Sequence, residues 1–131
     1  MKKTVLSFVM LALLPLYANS AESAPQASQG SQSPAATGDA AAGKAKYDTY
    51  CATCHGSAGA GDGAAASALN PKPRNFTDKA AMEGKTDDAL KKAIKEGGGA
   101  VGLATSMPAW GAMVSDADID NMVAYIRTMA K

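Results

Sequence analysis

The motif Cys51-Ala52-Thr53-Cys54-His55 restricts this chain more than any other stretch. It contains both cysteines of the chain and its only histidine. The spacing C-x-x-C-H is typical of sites where haem is covalently attached. Each cysteine thiol would add across one haem vinyl group, and the histidine would bind the iron. The motif therefore predicts one haem c, held through Cys51 and Cys54, with His55 as an axial ligand.

A C-x-x-C pair also occurs in thioredoxin-like dithiols, in disulfides and in zinc sites. Structural zinc sites have four Cys or His ligands, whereas this chain has two cysteines and one histidine in all. A redox-active dithiol or a disulfide leaves the adjacent His55 unexplained, and no βαβ pattern surrounds the motif. Haem attachment is the interpretation that uses all three side chains.

Length and composition agree with a single small domain that folds around a cofactor. The chain has 131 residues, enough for one domain, and its net charge of +1 gives no indication of nucleic-acid binding. Aromatic residues make up only 5% of the chain, a small supply for a domain that must bury much of its apolar surface. A covalently held haem would add apolar surface, so we expect the haem-free chain to fold poorly.

The first 20 residues have the pattern of a secretory signal peptide. Lys2 and Lys3 precede an apolar run from Val5 to Leu16, and small residues lead to an expected cleavage site after Ser20. The run is shorter than the ~20 apolar residues that span a bilayer, which favours cleavage over an uncleaved anchor. Because c-type haem is attached outside the cytoplasm, export agrees with the motif. We expect a periplasmic protein that contacts the membrane only if the signal segment is retained.

Residues 21–37 are predicted to be a disordered linker, and residues 38–131 the folded domain. The linker is rich in Ala, Ser, Gln and Pro, contains Glu22 as its only charge, and lacks hydrophobic periodicity. It is either a frayed N-terminus or a tether, and the sequence leaves both interpretations open.

Within the domain, helix signals predict three main helices. They begin after the N-cap residues Asp39, Thr86 and Ser115. Gly43 lies inside the first helix, where glycine costs about 1 kcal/mol relative to alanine, which indicates that another helix approaches closely there. The third helix carries an apolar stripe at helical spacing, formed by Ile119, Met122, Val123 and Ile126.

Met107 is the candidate for the second axial ligand. It precedes Pro108, which holds its backbone extended and outside a helix. A histidine and a methionine are one of the recognised axial pairs of haem iron. Met113 is the competing candidate in the same loop, whereas Met122 and Met129 have the spacing of core residues in the last helix.

Three further residues are candidates for the cofactor site. Pro71 lies in a proline-rich, extended segment and would offer its carbonyl oxygen to the free nitrogen of His55, since metal-bound histidines usually donate that proton. Arg74 is either a partner of a haem propionate or a solvated loop residue. Trp110 is expected to cover a haem edge, with its indole N–H reaching a propionate or a backbone carbonyl.

The ordered combination of these motifs resembles the class I c-type cytochromes over about residues 37–131. It consists of Gly43-x-x-x-Tyr47-x-x-x-Cys51-x-x-Cys54-His55, Met107-Pro108-Ala109-Trp110, and a last helix with Val123-Ala124-Tyr125-Ile126. The resemblance implies an all-α cytochrome c fold, with three main helices around one covalently bound haem and the N- and C-terminal helices crossing near Gly43. It also implies that His55 and Met107 are the axial ligands.

The resulting hypothesis is a periplasmic one-electron carrier that is not an enzyme and acts as a monomer with redox partner proteins. The alternatives are a haem c subunit or tethered domain of a larger membrane redox enzyme, and an enzyme or gas sensor with an open iron site. Lysines near the end of the second helix are either a docking face for an acidic partner or a solvated helix end. These are Lys91, Lys92 and Lys95.

Overall fold

Five α-helices and two short 3-10 turns occur in residues 37–131, the part of the chain that the computed structural model describes. The helices are α1 (Ala40–Tyr50), α2 (Ala52–His55), α3 (Lys79–Met82), α4 (Asp87–Glu96) and α5 (Asp116–Met129). Within these residues there is no β-strand, and no helix is long and apolar enough to cross a membrane. The predicted signal peptide and all of the predicted linker except Thr37 lie outside the described residues.

The three predicted N-caps are confirmed, and they begin the three main helices α1, α4 and α5. The Asp39 carboxylate accepts a hydrogen bond from the backbone N–H of Ala41 at 2.8 Å. Thr86 and Ser115 accept in the same way, each from the N–H three residues later, at 3.1 and 3.2 Å. Each cap satisfies an amide that the helix itself leaves unpaired. The sequence pattern does not predict α3, because four residues are too few to show a helical period.

Helices α1 and α5 cross at Gly43 with their backbones in direct contact. A Cβ atom at Gly43 would overlap the carbonyl oxygen of Asn121, and one at Gly38 would overlap that of Asp120. The Asn121 side chain also accepts a hydrogen bond from the Asp39 N–H at 2.7 Å. The close helix approach predicted from the mid-helix glycine is therefore confirmed.

Tyr47 is the centre of the core between α1 and α5, and its side chain is completely buried. Its ring meets those of Tyr125 and Phe76 edge-on, at centroid distances of 5.3 and 6.3 Å. Its hydroxyl donates a hydrogen bond to the carbonyl oxygen of Gly56 at 2.9 Å. The predicted apolar stripe of α5 is buried around it, and its members are Ile119, Met122, Val123 and Ile126.

We expect the Tyr47→Phe variant to lose about 1–2 kcal/mol of stability at neutral pH, because the buried Gly56 carbonyl would lose its donor. Burial raises the pKa of the Tyr47 hydroxyl above its usual value of about 10. The folded state therefore favours the protonated hydroxyl. The contribution of this hydroxyl to the free energy of unfolding is present below about pH 10 and is lost as the pH rises through its raised pKa in the folded state. The variant should lose stability less steeply above about pH 10.

Denaturant unfolding at neutral pH and at several alkaline values measures both effects. The half-buried neighbour Tyr125 gives the matched control, Tyr125→Phe, which should have the smaller effect. If the free energy of unfolding fell equally steeply with pH above about pH 10 in Tyr47→Phe and in the wild type, the prediction would be contradicted.

Ion pairs join the N-terminal half of α5 to lysines on both neighbouring helices. The pairs are Asp118 with Lys46, Asp120 with Lys91, and Asp116 with Lys95, at 3.1, 2.7 and 2.7 Å. Such exposed pairs each contribute little to stability. These pairs nevertheless give Lys91 and Lys95 carboxylate partners within the protein. Lys92 also has an acidic neighbour, Glu96, at 3.9 Å. The contacts therefore favour the solvated helix end over a docking face.

Candidate functional site

A cavity of about 370 Å³ lies beside the motif helix α2 and is lined mainly by apolar side chains of α4 and two loops. Its size falls in the range of small-molecule and cofactor pockets. It brings together every residue that the sequence predicts to bind the cofactor: Cys51, Cys54, His55, Pro71, Arg74, Met107 and Trp110.

The motif forms one helical turn that brings its three side chains to the same cavity. The backbone N–H groups of Cys54 and His55 both bond to the Cys51 carbonyl, at 3.1 and 2.9 Å. Residues three and four positions apart share a helix face, so both thiols and the imidazole line the cavity. The two cysteines do not form a disulfide with each other. The spacing and the apolar walls fit a haem held by two thioether bonds.

Burial raises the pKa of the Cys51 thiol to about 12. An attacking thiol of a thioredoxin-like site has the opposite property, since its pKa is lowered so that it is a thiolate near neutral pH. The environment of Cys51 therefore disfavours the dithiol alternative.

His55 donates its Nδ1–H to the carbonyl oxygen of Arg74, at 3.1 Å. A carbonyl can only accept, so this bond fixes the tautomer and leaves Nε2 as the nitrogen available to a metal. Burial lowers the pKa of His55 below its usual range, which keeps the imidazole neutral as a metal ligand must be. The ring also stacks on Phe76, with centroids 4.5 Å apart.

The prediction that Pro71 supplies this carbonyl is wrong. The backbone N–H of Phe76 bonds to the Gly59 carbonyl at 2.7 Å and fixes the segment so that Arg74, two residues before Phe76, meets the imidazole. Pro71 lines the cavity but lies on its exposed part.

Arg74 and Trp110 line the cavity, and each also contacts protein outside the motif. The Arg74 guanidinium donates from Nη1 to the Ala81 carbonyl at 3.1 Å, so it is not purely solvated, and no carboxylate of residues 37–131 pairs with it. Its contact with a haem propionate stays a prediction. The half-buried Trp110 ring packs against Tyr50, with centroids 5.2 Å apart.

Sequence reasoning missed the contribution of the glycine-rich loop after the motif. Alternate N–H groups of this loop bond to successive carbonyls of α2: Gly61 to His55, Gly63 to Cys54 and Ala65 to Thr53, at 2.8, 3.1 and 3.0 Å. A Cβ atom at Gly61 would lie 2.5 Å from the Pro73 carbonyl oxygen. The alternating glycines at positions 59, 61 and 63 were the available signal.

Met107 is half-buried and is the only methionine among residues 37–131 that lines the cavity. Met113 is 63% exposed and does not line it. Met122 and Met129 are buried in the core, as their helical spacing predicts. The structure therefore favours Met107 over its competitor.

An all-α domain with a C-x-x-C-H turn on the wall of an apolar cavity has the architecture of a c-type cytochrome. Residues 38–126 match the family described as "Cytochrome C oxidase, cbb3-type, subunit III". The chain belongs to this family of c-type cytochrome domains.

Known relatives agree with this assignment. The chain is similar to cytochrome c-554(547) of Halothiobacillus neapolitanus, with 39% identity over 99 residues, which cover 70% of this chain and 98% of the relative. A chain of the Kuenenia stuttgartiensis reducing HAO-like protein complex Kustc0457/Kustc0458 has a similar structure, with a TM-score of 0.56 and 29% identity. The match covers 68% of this chain and 41% of that longer one.

Cytochrome c6 from the diatom Phaeodactylum tricornutum shares the fold, with a TM-score of 0.53 and 24% identity over 71% of this chain and 95% of that chain. The predicted all-α cytochrome c fold is thereby confirmed. Family membership, together with the C-x-x-C-H spacing, makes the cofactor covalent haem c. The protein is an electron carrier of the c-type cytochrome class, and its homologues are electron-transfer proteins.

Proposed function

We propose that this protein is a periplasmic one-electron carrier in which His55 and Met107 are the two axial ligands of the haem iron. The observation that supports this ligand pair is that one cavity is lined by both motif cysteines, by His55 and by a single methionine of the described residues. When bound, the haem supplies reversible one-electron chemistry at its iron. A thioether ligand raises the reduction potential relative to a second histidine.

The surrounding residues prepare the site for this role. The Arg74 carbonyl accepts the Nδ1 proton of His55, which holds the imidazole in one orientation and increases its basicity as a ligand. The buried apolar residues Phe76 and Ile94 line the cavity and would limit the access of water to the haem. With His55 and Met107 both held by the iron, no position would remain for a substrate, which would suit a carrier.

A redox partner would meet the exposed part of the cavity rim. Pro71, Leu103 and Pro108 line the cavity and are exposed, and Leu103 has 47% of its surface accessible. Short-lived, weak docking through a small interface is typical of electron-transfer complexes. We propose that the protein acts as a monomer in such encounters.

We expect the Met107→Ala variant to lose the ferric absorption band that marks methionine–iron ligation. Its ferric iron should become high-spin, its ferrous iron should bind CO, and its reduction potential should fall, because no sulfur remains to fill the sixth position. Optical spectroscopy, CO titration and redox titration of the purified holoprotein measure these changes.

The matched control is Met113→Ala, which removes an exposed methionine of the same loop and should leave all three properties unchanged. A wild-type protein that is high-spin and binds CO at once would reject the ligand pair and favour the gas-sensor or enzyme alternative.

The proposed chain organisation is a signal peptide at residues 1–20, a linker at 21–37 and the cytochrome domain at 38–131.

The second candidate function is a haem subunit tethered to a larger membrane redox enzyme. The family description of an oxidase subunit favours it, as does the similar chain in a protein complex. Mass spectrometry of the mature N-terminus separates the two. A soluble periplasmic protein beginning near Ala21 supports the carrier, and a membrane-bound chain that keeps Lys2 and Lys3 supports the tethered subunit.

A further inference from the structure

The loop that carries Met107 is attached to the C-terminal end of α4 through backbone hydrogen bonds. A helix leaves the carbonyls of its last turn without partners inside the helix. Two of these, on Ile94 and Lys95, accept from the N–H groups of Trp110 and Gly111, at 2.9 and 3.0 Å. The end of α4 therefore binds the part of the loop that follows Met107 in the chain.

Gly98 binds the part of the same loop that leads up to Met107. Its N–H donates to the carbonyl of Met107 at 3.0 Å, and its own carbonyl accepts from the N–H of Leu103 at 2.8 Å. Within the loop, the Met107 N–H bonds to the Ala104 carbonyl at 3.1 Å. Gly98 thus bonds to both ends of the segment 103–107.

A side chain at position 98 does not fit this arrangement. A Cβ atom there would overlap the backbone carbonyl oxygen of Ala104 and lie 3.1 Å from the Cβ of Met107. The next glycine, Gly99, differs, because the nearest atom to its added Cβ is a methyl of Thr105 at 3.3 Å. Of two adjacent glycines, only Gly98 is restricted by the backbone of the Met107 loop.

We propose that Gly98 is a positioning residue for Met107, and that its lack of a side chain sets the distance between the Met107 loop and the haem site. This inference rests on the proposed His55/Met107 ligation. Gly98 acts through the loop backbone and does not itself touch the cofactor site. A methyl group at position 98 moves the Ala104 carbonyl outward. Met107, whose N–H is bonded to that carbonyl, moves with it and away from the cavity.

The test compares Gly98→Ala with Gly99→Ala in the haem-loaded, full-length protein. We expect Gly98→Ala to lose the methionine–iron band and to gain CO binding in the ferrous state. Gly99→Ala should keep the methionine–iron band and, like the wild type, should not bind CO in the ferrous state. Added imidazole should restore a low-spin ferric spectrum in Gly98→Ala, since the variant has lost only its sixth ligand. A purely structural role for Gly98 would lower the melting temperature without moving any of these ligation signals.

Retention of the methionine–iron band by Gly98→Ala would overturn the inference, provided that the wild type shows the band. Absence of the band from the wild type would instead reject the proposed ligand pair itself. If Gly98→Ala does not take up haem, Gly111→Ala carries the test on the other side of the loop, where an added Cβ would lie 2.9 Å from the Lys95 carbonyl oxygen. That variant tests the shared premise that the packing distance of the loop positions Met107. It should weaken the band, and an unchanged band would overturn that premise and, with it, the inference.

Discussion

Replacing both Cys51 and Cys54 with serine should leave the chain without attached haem and abolish its cooperative unfolding. The reason is the cavity of about 370 Å³, whose lining includes the core residues Phe76, Ile94 and Ile126. At about 24 cal/mol per Å³, such a cavity corresponds to at most about 9 kcal/mol, an upper limit because it is open to solvent. That is comparable to the whole stability of a typical domain, about 5–15 kcal/mol.

Circular dichroism and calorimetry of the haem-free double variant measure this effect. The matched control is Thr53→Ser, which changes the exposed residue between the two cysteines and should retain both the haem and the cooperative transition. A sharp, two-state melting curve for the haem-free double variant would show that the protein core is stable without its cofactor, contrary to the expectation.

The second large effect is expected for Gly43→Ala, which should destabilise the domain by about 3 kcal/mol. Helix propensity alone predicts the opposite sign, a gain of about 1 kcal/mol. The added methyl group would overlap the Asn121 carbonyl and force α1 and α5 apart. That movement would also disturb the packing of Tyr47 against Tyr125.

Denaturant unfolding of the holoprotein gives the change in free energy. The control is Ala45→Gly on the exposed side of α1, which should cost about 1 kcal/mol through propensity alone. A Gly43→Ala variant as stable as the wild type, or more so, would mean that the helices can separate without loss and that the crossing is not a tight one.

The sequence predicted the parts of this protein whose signals are local. The N-caps of α1, α4 and α5 were predictable because a Ser, Thr or Asp side chain bonds to an amide two or three residues later. The α1–α5 crossing was predictable from Gly43, because a costly glycine inside a helix has few explanations other than close packing. The last helix was predictable from its 3.6-residue period.

Long-range contacts were predicted less well. The carbonyl that holds His55 belongs to Arg74 and not to Pro71, because a hydrogen bond between Phe76 and the distant Gly59 fixes the register of that segment. The alternating glycines of the loop after the motif were visible in the sequence. Their partners, the carbonyls of α2, became apparent only when the chain was folded.

By itself, the Cys51–His55 motif determined the chemistry of this protein, because thiol and imidazole groups at that spacing suit haem attachment whatever surrounds them. Tertiary structure alone decided how the rest of the chain serves that chemistry. It placed Met107 on the cavity wall and Met113 in solvent, and it brought Gly98 against the Ala104 carbonyl, a contact that no local pattern indicates. The physical reason is that bonding geometry within a few residues is encoded locally, whereas the distance between two segments depends on everything packed between them.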